Sequence, residues 1–408
     1  MVVIMATFIR NKFRKIDYSL LISILLLAGF GVIMVYSASY PISYVHYGDA
    51  NYFFSRQIQW LLIGLFFFSI AAILPYRLYG KLSPAFIFMS ILLLIIILMP
   101  GIGVERNNSQ RWIQLGGFVF QPTEPIKLFM IIYFAYFYSQ KQAYINQFKK
   151  GVLPPLLILG VMFLLILKQP DLGSAALILF VCGIIVVCSG VRKIHLFILG
   201  SVGLIGVIYF AFTSAYRFER ITSFLNPFEN HLGSGYQLVN SYIAIGTGGI
   251  WGAGLGNSVQ KLGYLPEAHT DFIMAIILEE IGVFGLIIVL GSYLFIMLRG
   301  IRIAKDCKDM FAKLLAIGIT FQIMIQAIFN LGAVSGMLPI TGITLPLVSY
   351  GGSSLLFTLI SAGILVNIST LTKGASDSTF RLFPSSIILP FILPFIPNFK
   401  CPFYIKQR

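Results

Sequence analysis

The sequence predicts an all-α, polytopic membrane protein with about ten transmembrane helices. Of its 408 residues, 58% are hydrophobic and only 11% are charged, and the mean hydropathy is +0.90. A soluble domain carries about 25% charged residues. Apolar segments long enough to cross a bilayer recur along most of the chain, so the bilayer is the solvent for most side chains.

Each predicted span approaches the roughly 17–25 apolar residues that a transmembrane helix needs. The longest connection, at about residues 215–270, falls between the seventh and eighth helices. We expect this connection to be functional, because long loops in a helical bundle usually are. The spans lie near 17–38, 57–75, 84–100, 123–139, 151–168, 172–190, 194–214, 271–298, 314–337 and 351–371.

Basic residues give the orientation of the chain. When the connections are assigned alternately to the two faces, 21 of the 29 Lys and Arg residues fall on one face. By the positive-inside rule we expect that face to be cytoplasmic. Both termini then lie on the cytoplasmic side of the cytoplasmic membrane, and the long loop lies on the outer side. The net charge of +15 therefore reports topology and predicts no nucleic-acid partner. We expect a cytoplasmic segment (1–16), a transmembrane domain (17–371) and a cytoplasmic or interfacial tail (372–408).

Asp271 is the main catalytic candidate, because it lies where the long polar loop meets an apolar run. A carboxylate at this boundary is partly desolvated, which raises its pKa and makes it a better base. Glu267 and His269 precede it and add titratable groups. The competing interpretation is that Thr270 or Asp271 merely caps the following helix.

Other polar residues support a cavity that opens to the outer face. Glu124 and Lys127 lie three residues apart and can pair on one helix face. Asp171 is either a helix cap or a second carboxylate of the site, and Glu279 and Glu280 require pairing within the membrane. Near the last span, the Pro- and Gly-rich segment 338–354 offers hydroxyl groups suited to a sugar, including Ser349 and Ser353.

Taken together, these motifs resemble the SEDS family (shape, elongation, division and sporulation) over about residues 16–371. The similar motifs are Arg111-Trp-Ile, Gln121-Pro-Thr-Glu124, Gln169-Pro-Asp-Leu-Gly173, Pro266-Glu-Ala-His-Thr-Asp271 and Val348-Ser-Tyr-Gly-Gly-Ser-Ser354. The stretch at 260–267 is more similar to the division-type branch, although a sporulation paralogue would look alike. The tail after about residue 377 departs from the family pattern.

The resemblance implies a peptidoglycan glycosyltransferase that polymerises lipid II with Asp271 as its catalytic carboxylate. It also implies a class B penicillin-binding transpeptidase as partner, with other divisome membrane proteins. We expect substrate contacts from the cations Arg217, Arg220, Lys127 and Arg111, from His269 and Glu267, and from Ser349 and Ser353. A divalent cation (Mg²⁺ or Mn²⁺) could help to neutralise the pyrophosphate, but the sequence contains no dedicated metal-ligand set.

Two other classes of function fit the same residues. A transporter that flips lipid II could use Asp271, Glu279 and Glu280 as a proton or headgroup path. A non-catalytic scaffold that recruits a transpeptidase would not need Asp271. The concentration of charged groups on one face favours the enzyme, because a flippase needs a headgroup site that is accessible from both sides.

Overall fold

Every predicted membrane span contains a helix. The computed structural model describes residues 15–372, apart from 102, 107, 108, 116, 117, 213, 214 and 230. The first fourteen residues lie outside the described residues, and so does the predicted tail (372–408) except for residue 372. The helices are α1 Tyr18–Tyr47, α2 Tyr52–Ile73, α3 Tyr76–Lys81, α4 Ser83–Ile97, α5 Thr123–Gln140, α6 Leu153–Leu167, α7 Leu172–Cys188, α8 Lys193–Phe212, α9 Ala215–Leu225, α10 Tyr236–Gly248, α11 Ile273–Ile281, α12 Val283–Asp306, α13 Met310–Val334 and α14 Gly352–Ser369.

Seven of the described helices are long and apolar enough to cross a membrane: α1, α2, α6 with the turn before it, α8, α12, α13 and α14. Helices α4 and α7 are apolar but shorter, with 15 and 17 residues. Helix α5 has 18 residues and carries Glu124 and Lys127. The chain is therefore a multi-pass membrane protein, as its composition predicts.

The connection before α5 contains a small sheet, which the all-α prediction does not include. Strands β1 (Gly103–Arg106), β2 (Ser109–Leu115) and β3 (Phe118–Phe120) form an antiparallel sheet in the order β1-β2-β3. In β2, Trp112 pairs with Val104 and Ile113 pairs with Phe120. This sheet holds Arg111 near the start of α7, as described below.

The eighth span differs from its prediction as one helix over 271–298. Helix α11 ends at Ile281, and Gly282 adopts φ 65° and ψ −142° before α12 begins. A Cβ atom on Gly282 would lie 2.3 Å from the carbonyl oxygen of Ile250, which accepts a hydrogen bond from the Val283 N–H (2.9 Å). The glycine-rich turn after α10 thus occupies the space that a continuous helix would need.

The last helix, α14, packs closely along α2, and this is the most extensive contact between two helices in the described chain. Small residues permit the close approach. A Cβ atom on Gly64 would lie 2.5 Å from Leu359 Cδ1, and one on Gly363 would lie 2.5 Å from the carbonyl oxygen of Phe68. Small residues at helix crossings are how membrane helices gain van der Waals contact.

Candidate active site

Asp271 lies in the turn immediately before α11, and its side chain is half-buried. The N-cap position of α11 is occupied by Phe272, and no side chain caps this helix. The capping interpretation of Asp271 and Thr270 is therefore wrong. The pKa of Asp271 is raised to about 7, chiefly by burial and also by the nearby Glu267 carboxylate, while Arg220 and Arg111 act in the opposite direction.

The main chain around Asp271 is held by three successive hydrogen bonds to carbonyl oxygens. The Tyr350 N–H donates to the carbonyl of His269 (2.9 Å), and the Ser349 hydroxyl donates to that of Thr270 (2.6 Å). The Asn330 amide donates to the carbonyl of Asp271 itself (2.7 Å). Ser349, predicted to bind substrate, is thus occupied in holding this turn.

Residues 340–343, which form neither a helix nor a strand, lie beside Asp271, and we call them the central strip. Its carbonyl groups accept from Arg220 Nη1 at Ile340 (2.8 Å) and from Asn330 Nδ2 at Ile343 (2.8 Å). Gly342 has φ 72°, and a Cβ atom there would lie 3.4 Å from Asp271 Oδ2. The strip therefore joins the long outer loop, helix α13 and the carboxylate of Asp271.

Arg111 and Asp171 form a second polar group on the strand side of the site. Asp171 caps α7 by accepting from the Ser174 N–H (3.1 Å), and its Oδ1 atom lies 3.6 Å from Arg111 Nη1. Arg111 also donates to the carbonyl of Pro170. Asp171 Oδ2 and Arg111 Nε are buried without a hydrogen-bond partner among the described residues. Asp171 thus caps α7, which is the first of its two predicted roles.

Lys127 is held in a buried ion pair. Its ammonium lies 2.8 Å from Glu124 and donates to Gln326 Oε1 (3.0 Å). The Lys127 side chain is only 3% exposed, so these contacts favour the pairing role over the contact with substrate that we also predicted. Ser353 is similarly engaged, because its hydroxyl accepts from the Gln121 N–H (3.1 Å).

His269 and Glu267 precede Asp271 closely in sequence, and the His269 ring donates no described hydrogen bond to the Asp271 carboxylate. The His269 ring lies 4.5 Å from that of Phe53 and 5.6 Å from that of Tyr350. Burial lowers the pKa of His269 to about 4, although Glu267 acts in the opposite direction. His269 is therefore neutral at physiological pH. Glu267 accepts from the Thr270 hydroxyl (2.7 Å) and contributes negative charge.

Glu279 and Glu280 hold the glycine-rich turn against α11 and α1. The Glu280 carboxylate lies 2.6 Å from Lys261 Nζ and accepts from the Ser37 hydroxyl (2.7 Å). Glu279 accepts from the Val259 N–H (2.9 Å). Both carboxylates are buried and partnered, which agrees with the requirement for pairing that the sequence raised.

Two residues of the site were not predicted from the sequence, namely Asn330 and Gly342. Asn330 is a polar residue inside an apolar span, which could have marked it. Gly342 lies in the predicted Pro- and Gly-rich segment 338–354, but no local pattern predicts its closeness to Asp271, which is a long-range contact. Of the predicted cations, the side chain of Arg217 lies outside the described residues. Among the described residues, no group of three or more His, Cys, Asp or Glu side chains could hold a metal ion.

The family model of the FtsW, RodA and SpoVE cell cycle proteins matches residues 18–374. The chain belongs to this family. This FtsW/RodA/SpoVE-family chain is 43% identical over 381 residues to a probable peptidoglycan glycosyltransferase FtsW of Bacillus subtilis, covering 90% of this chain and 94% of that one. It is 42% identical over 360 residues to the stage V sporulation protein E of the same organism, with 88% and 98% covered.

Solved structures of the family share the fold. One, reported for a peptidoglycan synthase complex that coordinates polymerization and crosslinking, is 26% identical with a TM-score of 0.71, over 87% of this chain and 97% of that one. Another, the rod shape determining protein RodA of Thermus thermophilus, is 26% identical with a TM-score of 0.64, over 87% and 96%. The predicted resemblance to the SEDS family is confirmed.

Proposed function

We propose that this protein is a peptidoglycan glycosyltransferase that polymerises lipid II, with Asp271 as the general base. The names of relatives that are 38–43% identical over most of the chain support the activity. The observation that carries the assignment of the base is the environment of Asp271. Its carboxylate has a raised pKa, accepts none of the hydrogen bonds within the described residues, and lies in the field of Arg220 and Arg111.

The reaction needs one base and a means of stabilising the leaving group. The 4-hydroxyl oxygen of the acceptor sugar attacks C1 of the donor sugar, and Asp271 takes the hydroxyl proton. The bond from C1 to the polyprenyl diphosphate breaks, and the diphosphate leaves with the electron pair. A single displacement converts the α-linked donor into a β-1,4 bond. Unlike glycoside hydrolysis, it does not require a second catalytic carboxylate.

Guanidinium groups suit the leaving diphosphate, because their planar forks pair with phosphate oxygens in a bidentate way. Arg220 and Arg111 are candidates, since the charges of both lower the pKa of Asp271. Arg217 on α9 is a third candidate by sequence. A divalent cation, Mg²⁺ or Mn²⁺, could contribute at the diphosphate without a protein ligand set of its own.

The setting of this activity is the outer face of the cytoplasmic membrane, with both termini inside. The structural neighbour from a synthase complex supports a class B penicillin-binding transpeptidase as partner. Relatives named FtsW support a role in cell division with other divisome proteins. The sporulation relative, at 42% identity, makes spore-wall synthesis the second candidate for the physiological role.

The test is glycan synthesis from purified lipid II by the full chain in detergent. Asp271→Asn should lower the rate by about 10²–10⁴-fold, which is what a general base contributes. Asp49→Asn, a matched change at an exposed carboxylate on the outer side, should leave the rate within about twofold of wild type. Polymer from Asp271→Asn within tenfold of wild type would refute the base. Lipid II transport in vesicles without polymer would favour the flippase.

A further inference from the structure

Asn330 links the backbone of Asp271 to the central strip. It lies on α13 and is only 1% exposed. Its Nδ2 atom donates to the carbonyl oxygen of Asp271 (2.7 Å) and to that of Ile343 (2.8 Å). Both partners are carbonyl oxygens, so only a donor can satisfy them, and this fixes which end of the amide faces them.

The position of the Asp271 carboxylate depends on its main chain. Asp271 precedes α11 and lies outside the helical hydrogen-bond ladder. Within the described residues its carboxylate accepts no hydrogen bond, so no side chain orients it directly. The same strip that Asn330 holds at Ile343 faces the carboxylate at Gly342. The Asn330 amide thus joins the main chain of the proposed base directly to the segment that its carboxylate faces.

We propose that Asn330 is a positioning residue for the base, fixing the Asp271 main chain against the central strip while its carboxylate stays free to take a proton. This inference rests on the proposed function. A displacement of about 1 Å at a reacting group can cost about 10²-fold in rate. Loss of the Asn330 amide should therefore act on the turnover step rather than on substrate binding.

Asn367 provides a matched control. It is 2% exposed on α14, and its amide also donates to two carbonyl oxygens, those of Ala72 (2.7 Å) and Leu74 (2.6 Å). These partners lie at the end of α2 that is near Asp17, opposite to the end that holds the site. Removing either amide leaves two carbonyl groups, each at least partly buried, without this donor, so the two losses of stability should be similar.

The first experiment compares Asn330→Leu with Asn367→Leu in the full chain. We expect Asn330→Leu to lower kcat for glycan synthesis by about 30–100-fold with KM changed less than about threefold. Asn367→Leu should lower the melting temperature by a similar amount but change kcat less than about threefold. Asn330→Ser keeps one hydrogen-bond donor and should give an intermediate kcat. This variant replaces Asn330→Leu in the comparison if the leucine variant does not fold.

The second readout needs no polymerisation. A carbodiimide reacts with protonated carboxyl groups, so labelling of Asp271 across pH, measured by peptide mass spectrometry, reports its titration. Loss of the Asn330 hydrogen bonds should free the turn that carries Asp271 and admit water to its carboxylate. The labelling midpoint should then move to lower pH in Asn330→Leu and Asn330→Ser, but not in Asn367→Leu. A wild-type protein without polymerase activity would refute the proposed function, while the labelling would still decide the role of Asn330. The positioning role of Asn330 would be overturned if the labelling midpoint of Asp271 did not move in the Asn330 variants. It would also be overturned if kcat fell equally in Asn330→Leu and Asn367→Leu.

Discussion

At the level of the residue, the proposed base Asp271 combines a raised pKa with a carboxylate that accepts none of the described hydrogen bonds. Burial is the main cause of the raised pKa, which is about 7. The backbone contacts hold the turn and leave the carboxylate oxygens unbonded among the described residues. A carboxylate fixed by its own side-chain hydrogen bonds would instead be a weaker base, since such bonds favour the charged form.

The pH dependence of polymerisation should follow Asp271. Only the deprotonated carboxylate accepts a proton, so the active fraction rises as pH increases through about 7. We expect kcat/KM to fall about tenfold per pH unit below that point and to level off above about 8. His269, with a pKa of about 4, stays neutral over this range, so His269→Gln should keep the midpoint. Initial rates that do not vary between about pH 5.5 and 8.5 would exclude Asp271.

The sequence predicts the proposed base, Asp271, but not the residues Asn330 and Gly342 that contact it. Asp271 was identifiable because a carboxylate at a polar–apolar boundary is a local pattern. Lys127 was assigned two roles because spacing alone cannot tell whether an ammonium faces a cavity or a neighbouring helix. Asn330 and Gly342 reach Asp271 through contacts across about 60 to 70 residues of sequence, and no local pattern encodes such contacts.

At the level of the element, the break between α11 and α12 separates the catalytic turn from a membrane span. The apolar run over 271–298 predicts one helix, because an isolated glycine within an apolar run does not by itself end a helix. The break depends on a distant partner, the turn at Ile250, whose carbonyl oxygen occupies the space beside Gly282. The apolar pattern therefore predicts the position of this span but not the break that separates α11 from α12.

Gly282→Ala should destabilise the protein. The backbone at Gly282 is in a region that other residues rarely adopt, which costs about 1–3 kcal/mol, and the new Cβ atom would meet Ile250 at 2.3 Å. Gly291 lies in the same helix, α12, and a Cβ atom there meets no atom within 4 Å. Gly291→Ala should therefore be neutral or slightly stabilising. Thermal unfolding in detergent compares the two, and equal melting temperatures would contradict the steric argument.

The Lys261–Glu280 pair should show the asymmetry of a buried ion pair. Glu280→Gln or Lys261→Met alone leaves one buried charge without its partner, which costs about 3–5 kcal/mol. The double variant removes both charges and should be more stable than either single variant. Chemical unfolding of the three variants measures this. Additive losses in the double variant would mean that the two side chains act independently.

At the level of the whole molecule, the two ends of the transmembrane domain meet. The Asp17 N–H donates to the Ser369 hydroxyl (3.2 Å), and Asp17 also pairs with Arg299 of α12. The described ends of the chain therefore lie on one face of the molecule. Basic-residue asymmetry predicts that this face is cytoplasmic.

Cysteine labelling tests this topology. In a chain whose native cysteines are replaced by serine, a cysteine at Lys308 should react with an impermeant maleimide only after the membrane is opened. A cysteine at His231 should react in intact spheroplasts. Both side chains are exposed, so a lack of labelling would not come from burial. Labelling of position 308 from outside would reverse the orientation and place Asp271 on the wrong face for lipid II.

The packing of α14 against α2 has a consequence for biosynthesis. The ribosome completes α2 at Ile73, but its principal partner begins only at Gly352. At about 5–20 residues per second, roughly 15–60 s separate the two events. During this interval the face of α2 around Gly64 and Phe68 must be covered by lipid or by an insertion chaperone. Nascent chains that stall before residue 352 should therefore be preferred substrates for membrane quality-control proteases, even though most of their spans are already inserted.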